Sequence, residues 1–276
     1  VSERRSDLWL LWRQVRYQDL LFRRNPVSAF FTLAFPVLIF VIFSLVFGNE
    51  RIDYLGITVA QYYAPALAVY AAANATYLNL GITTAYQRDL GILKRVRGTP
   101  VPAWLYLAAK MISGAFVALV GVVIMVGLGV VFYGLAVYPQ TLPAAFLTLL
   151  VGAASFGALG LAIAAVAPSG QGATAIANAT LLPLAFFSGI FIAPSESTPR
   201  WLVLLGDAFP LKHFNEAFFA AFDPQHTGWA FSWGHLAYVA LWGIVGLLFA
   251  IRFFRWESPA GGHAGRRRSR RSGASA

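Results

Sequence analysis

The chain has 276 residues, 58% of them hydrophobic and 12% charged, against roughly 45–50% and about 25% in a soluble domain, so an ordinary water-soluble fold is excluded. Cysteine is absent, which excludes disulfide frameworks, thiolate nucleophiles, zinc–thiolate sites and iron–sulfur ligation. The net charge of +10 suits either nucleic acid or loops that face anionic lipid, and its distribution decides between them.

In chain order, Leu8, Leu11, Trp12, Val15, Leu20, Leu21 and Phe22 interleave with Arg13, Arg16, Asp19, Arg23 and Arg24. The spacing predicts an amphipathic helix over about 6–24, lying in the inner membrane interface as an anchor or as a support for a cytoplasmic partner. No small-residue cleavage site follows a short apolar core here, so the first apolar run is expected to stay in the protein. A spanning helix needs about 20 mostly apolar residues. Six stretches meet that length, at about 27–48, 60–86, 104–133, 142–167, 174–193 and 233–254. The short alternating segments of a membrane β-barrel are not seen. Between spans five and six, residues 194–232 carry Trp201, Phe209, Phe214, Phe218 and Trp229 among prolines and charges, a pattern for short helices dipping into the outer interface.

The basic residues orient these spans. Eighteen of the 21 Lys and Arg fall on one side: before the first span, around the second loop (Arg88, Lys94, Arg95, Arg97 and Lys110) and after the last span. Only Arg51, Arg200 and Lys212 fall on the other. The positive-inside rule therefore places both termini and the 88–103 loop in the cytoplasm. The expected fold is all-α: a polytopic membrane domain over 1–256 with six transmembrane helices, an N-terminal amphipathic interfacial helix and short outer-interface helices between spans five and six. A disordered basic tail over 257–276, with its arginines at 266–268, 270 and 271, is drawn to anionic lipid and not to nucleic acid.

Few motifs carry chemistry. No phosphate-cradling Gly-x-x-x-x-Gly-Lys-Ser/Thr loop is present, so the chain is not expected to hydrolyse ATP by itself. Ser169-Gly170-Gln171-Gly172 reads as a turn between spans. The apolar interiors of the six spans read as free of ionisable residues, which places the energy source elsewhere and disfavours a proton-coupled carrier. Glu196, Asp207, His213 and Glu216 gather on the outer loop, where capping and pairing explain them better than catalysis or a metal. In the second span Tyr63, Tyr70 and Tyr77 recur every seven residues with Asn74 nearby, and Asn178 lies in the fifth. They either line a pathway for an amphipathic substrate or serve interhelical packing and hydrogen bonding. Gly152, Gly160 and Ala164 form a small-residue stripe for close packing within the chain or across a dimer.

The run Arg88-Asp89-Leu90-Gly91-Ile92-Leu93-Lys94-Arg95-Val96-Arg97-Gly98-Thr99-Pro100 resembles the cytoplasmic loop of ABC type-2 transporter permeases, with Asp89 where family members commonly carry glutamate. Phe187-Ser188-Gly189-Ile190-Phe191-Ile192-Ala193-Pro194, followed by Pro199, Trp201, Leu202 and Pro210-Leu211, is similar to the family's segment at the end of the fifth span. The resemblance covers about residues 8–256. It implies a bacterial inner-membrane permease, not itself an enzyme, that pairs with a second permease copy or paralogue. A separate ABC ATPase would bring ATP and Mg, this chain holding no cofactor of its own. Arg88, Asp89, Gly91, Leu93, Lys94, Arg95, Arg97, Thr99 and Pro100 would couple to that ATPase. Export of a drug-like or lipid-like amphipath is the expected function; a lipid-linked polysaccharide exporter, a self-sufficient secondary carrier and a membrane enzyme using His213 and Glu216 are the alternatives.

Overall fold

The computed structural model describes residues 7–47, 50–52, 55–99, 101–195, 198–225, 228–254 and 256. Arg4, Arg5, Gly48, Pro100, Glu196, Arg255 and the tail 257–276 lie outside the described residues.

Helix α1 (Asp7–Arg23) turns Val15 and Gln18 inward and leaves Leu8, Trp12 and Leu20 exposed. Asn25 then opens the next helix: its side chain accepts from the Ser28 amide at 3.1 Å, and Pro26 takes the first helical position, where a missing N–H costs nothing. Helices α2 (Pro26–Ala29) and α3 (Phe35–Phe47) are joined through a π-turn, Phe30–Ala34, into one continuous helix. Two short strands, β1 (Arg51–Ile52) and β2 (Ile57–Thr58), form an antiparallel hairpin with Arg51 opposite Thr58, a small departure from the all-α expectation. The Thr58 hydroxyl accepts from the Gln61 amide at 3.2 Å and caps the helix that follows.

That helix runs over 59–89 as α4 (Val59–Ala73), a second π-turn (Asn74–Leu78) and α5 (Asn79–Asp89). It is the centre of the molecule, every residue of α4 except Tyr63 being buried. Around it pack α3, α7 (Ala103–Tyr133), α8 (Leu142–Val166) and α11 (Pro210–Phe219), while α12 (Trp233–Phe253) lies along α8. The shorter α6 (Ile92–Arg97), α9 (Gly170–Phe187) and α10 (Arg200–Asp207) complete the described helices. At Gly81 and Gly160 the central helix and α8 touch backbone to backbone. A Cβ on Gly160 would lie 2.5 Å from the Tyr77 carbonyl oxygen, and one on Gly81 2.8 Å from that of Gly160. The small-residue stripe is thus used within the chain at Gly160, and Gly152 makes room for Phe214 of α11.

Among the described residues four helices are long and apolar enough to cross a membrane: Pro26–Phe47, Ala103–Tyr133, Pro139–Val166 and Trp233–Phe253. They leave Leu45, Val131, Phe132, Leu248 and Ile251 exposed, a surface suited to lipid and not to water. The remaining two expected spans are helices of different character. The 59–89 helix carries Gln61, Asn74, Asn79 and Gln87, which it can do because protein, not lipid, surrounds most of it. It also extends past the expected end at 86, so Arg88 and Asp89 sit on the helix and not in the loop. Helix α9 starts at Gly170 and stops at Phe187, short of the expected 193. Gly189 takes a left-handed φ of +73° there, and the freed carbonyls find side-chain donors. Tyr62 Oη donates to Gly189 O at 2.5 Å, Tyr63 Oη to Phe191 O at 3.3 Å and Asn215 Nδ2 to Ser188 O at 3.1 Å.

Candidate functional site

Two arrangements stand out, beginning with the end of α5 and the segment that follows it. Arg88 is buried, and its guanidinium reaches across to the C-terminal end of α8, donating from Nη1 to Ala164 O at 2.7 Å and from Nη2 to Ala167 O at 2.6 Å. Its neighbour Asp89 accepts from the Gly170 amide at 2.7 Å, at the N-terminus of α9. A cation therefore meets the negative end of one helix dipole and an anion the positive end of the next. The two side chains also lie 3.7 Å apart, so the α8–α9 turn is stapled to the end of α5 by opposite charges.

Beyond the staple, Gly91 adopts φ +70° and starts α6. Leu93 is fully buried and fixes the short helix, whereas Lys94, Arg95 and Arg97 face outward. The Thr99 hydroxyl donates to Val96 O at 2.6 Å and closes the α6 end. The expected coupling residues thus divide physically: Arg88, Asp89 and Leu93 hold the element, and the basic residues of α6 form its outer surface.

The second arrangement is a cavity of about 820 Å³ between α1, the Pro26–Phe47 helix, the central helix, α7 and α9. Of the expected pathway residues, Tyr70, Asn74 and Asn178 line it; Tyr63 and Tyr77 do not. Tyr77 Oη instead shares a 2.6 Å hydrogen bond with Thr180 of α9, and Tyr63 serves the broken α9 end, so both belong to packing. Asn74 Nδ2 donates to Phe31 O at 3.1 Å, joining the two π-turns, while its Oδ1 is buried with no partner.

The cavity also brings in residues the apolar pattern did not reveal. Lys110, counted above among the charges flanking the loop, is turned inward from α7 and 5% exposed, which corrects the expectation of span interiors without ionisable groups. Its Nζ donates to Thr84 Oγ1 at 2.8 Å. Lys110, Ser113, Gly114 and Val117 all line the cavity, and their spacing of three, four and seven puts them on one helix face. Ser113 also donates to the Asp19 carboxylate, anchoring α1 to α7.

The outer-loop pair His213 and Glu216 acquires a third member, His235 of α12, which lies too far along the chain for spacing to suggest it. The two imidazole Nδ1 atoms are 2.8 Å apart, and His235 Nδ1 is 3.4 Å from Glu216 Oε2. These three could offer ligand atoms within 4.8 Å of one another to a metal ion, but Lys212 Nζ, 3.8 Å from Glu216 Oε1, already supplies a competing cation. His213 Nε2 lies 2.9 Å from Asp207 O, and the group joins α10, α11 and α12.

The sequence profile of the ABC-2 type transporter matches residues 8–222, which take in nearly all of α1 through α11. A Bacillus subtilis (strain 168) protein named as a transport permease, YvfS, is 25% identical over 191 residues, 69% of this chain and 76% of that protein. An Escherichia coli (strain K12) protein named as a multidrug ABC transporter permease, YbhR, is 23% identical over 168 residues, 61% of this chain but only 44% of that protein's length. With its four long apolar helices, the chain is a multi-pass membrane protein that belongs to the ABC-2 type transporter family.

Proposed function

We propose that the chain is the permease subunit of an ATP-driven exporter whose ATPase is a separate protein. The observation that carries this reading is the build of residues 88–99: a buried arginine and its neighbouring aspartate bonded to two helix ends, and three basic side chains presented outward on a short helix. Closure of an ATPase pair against α6 would be passed through Leu93 and the Arg88–Asp89 staple to α5, α8 and α9 together, and so become a tilt of spans.

The same reading takes the 59–89 helix and α9 with the four apolar helices as six spans. It puts α1 in the inner interface and α10 and α11 in the outer one. Both termini, and the basic tail after 256, face the cytoplasm of a bacterial cell. A second copy or paralogue completes the pathway, ATP and Mg stay with the partner ATPase, and a drug-like or lipid-like amphipath leaves through the cavity beside Tyr70, Asn74 and Asn178. The relatives' names, a transport permease and a multidrug permease, support efflux; export of a lipid-linked polysaccharide is the alternative cargo. Lys110 gives a self-sufficient carrier one interior ionisable group, and that is the second reading.

The test is capture of the tagged permease from gently solubilised native membranes. A Walker-type ATPase is expected to co-purify at about one per permease, and Arg95→Glu with Arg97→Glu should weaken its capture at low salt, where surface charges act most strongly. A permease that emerges alone from several mild detergents, yet moves substrate on an ion gradient, would establish the carrier instead.

A further inference from the structure

Lys110 is the only Lys, Arg, His, Asp or Glu side chain among the described residues lining the cavity. The ammonium group has three N–H donors, and one is used on Thr84 Oγ1 at 2.8 Å. The Thr84 hydroxyl passes its own hydrogen to Leu80 O at 2.7 Å, so it accepts from Lys110 and offers nothing further. Among the described residues no carboxylate lies within ion-pair distance of Nζ. The Asp19 carboxylate, which accepts from the Ser113 hydroxyl, is not part of the lining.

Nζ also lies 5.7 Å from the centre of the Tyr106 ring, but a hydroxyl and a ring face carry no negative charge, so the ammonium has no anionic partner among the described residues lining the cavity. The surroundings describe the counter-charge that would meet it. Gln18, also buried, lines the same cavity, and beside the amide hydrogen it turns to the Tyr106 hydroxyl it has a second to offer. Phe31, Phe35 and Leu182 make part of its wall apolar. The volume of about 820 Å³ is that of a site for a whole small molecule, well beyond a single ion.

We propose that this cavity binds an amphipath with an anionic headgroup, the anion paired with Lys110 and hydrogen-bonded by Gln18, the apolar body along Phe31, Phe35 and Leu182. The proposal rests on reading the cavity as the substrate pathway and narrows the cargo class: a neutral or zwitterionic amphipath leaves the Lys110 ammonium without net counter-charge. An anionic lipid and a drug-sized organic anion share this chemistry.

The experiment is native mass spectrometry of the purified full chain in a non-ionic detergent. It is titrated with dioctanoyl phosphatidylglycerol, dioctanoyl phosphatidylcholine, anilinonaphthalene sulfonate and inorganic phosphate. At least one amphipathic anion should bind about tenfold more tightly than the zwitterionic lipid, a ratio that corresponds to roughly 1.4 kcal/mol. Phosphatidylglycerol in that place identifies a lipid as the source, and the sulfonate a drug-sized anion. Lys110→Met should erase the preference while leaving phosphatidylcholine binding within about twofold, Lys110→Arg should keep it, and Gln18→Leu should reduce it by about threefold, as loss of one modest hydrogen bond does. Equal binding of anionic and zwitterionic amphipaths by the unaltered chain overturns the proposal. So does a preference that survives Lys110→Met, or displacement of the amphipath by inorganic phosphate at matched concentration. ATPase capture by the unaltered chain is scored separately, so that absence of anion selectivity in it with capture intact counts against this proposal alone.

Discussion

Arg88→Met tests the division of the 88–99 segment into a staple on two helix ends and an exposed basic surface. The substitution removes two hydrogen bonds of 2.7 and 2.6 Å from a guanidinium whose side chain is 2% exposed, and strips the last carbonyls of α8 of their donors. Charge-assisted hydrogen bonds are worth about 1.5–3 kcal/mol each, and no longer burying a cation offsets part of that, leaving a net loss of about 2–4 kcal/mol. In thermal unfolding of the purified protein this corresponds to a Tm lower by roughly 5–10 °C. Arg88→Lys should recover about half, because a lysine supplies a point charge that cannot span both carbonyls. Lys94→Glu and Arg95→Glu, both on the outer face of α6, should move Tm by less than about 2 °C while weakening ATPase capture, as exposed charges do. If Arg88→Met melts with the unaltered protein yet loses the ATPase, Arg88 is a partner contact and the staple argument fails.

Three further substitutions probe other joints. Gly160→Leu drives a side chain into the Tyr77 and Thr76 carbonyls and should cost at least about 1–3 kcal/mol as overpacking; a monodisperse protein with unchanged melting would mean that the central helix and α8 do not pack as described. Gln61→Leu leaves Phe222 O, Ala136 O and the Ala136 amide without their amide partner, and a loss of about 2–4 kcal/mol is expected; Tm within error of the unaltered chain would contradict it. Gly91→Ala meets open space but a φ of +70°, so its cost should be about 1–2 kcal/mol of backbone strain alone, with Gly91→Asn tolerated better; equal losses for Ala and Asn would point to a lost contact.

How much was legible in the chain itself differs from element to element. The first, third, fourth and sixth expected spans correspond to helices within a residue or two of their ends, because an uninterrupted apolar run has few other conformations in lipid. At the second, hydropathy falls after Tyr86, yet the helix continues because Arg88 and Asp89 have distant helix ends to bind. At the fifth, Phe186 through Ile192 reads as one apolar run, yet the helix stops at Phe187. Only the hydroxyls of Tyr62 and Tyr63 and the amide of Asn215, each far away in sequence, make a break at Gly189 acceptable. In the seven-residue series Tyr63 serves the broken end of α9 and Tyr77 bonds Thr180, whereas Tyr70 lines the cavity, a division that spacing alone does not carry. Lys110 reads as one more loop charge because it stands seven residues into a helix next to a basic loop, and only Thr84 and the cavity beside it show otherwise.

The π-turn at Asn74–Leu78 has a consequence in the phase of the central helix. Such a turn is one residue of surplus in an otherwise α-helical chain. Deleting one residue between 74 and 78 would let the helix close as plain α with its downstream phase nearly kept, because the π-turn holds one residue more than an α-turn over about the same rotation. A residue inserted elsewhere between 59 and 88, with no such turn to absorb it, would rotate everything after it by about 100° relative to α4. Arg88 would then swing off the Ala164 and Ala167 carbonyls and Asp89 off the Gly170 amide, so the position of those two charges is written partly in the length of the chain between residues 59 and 88.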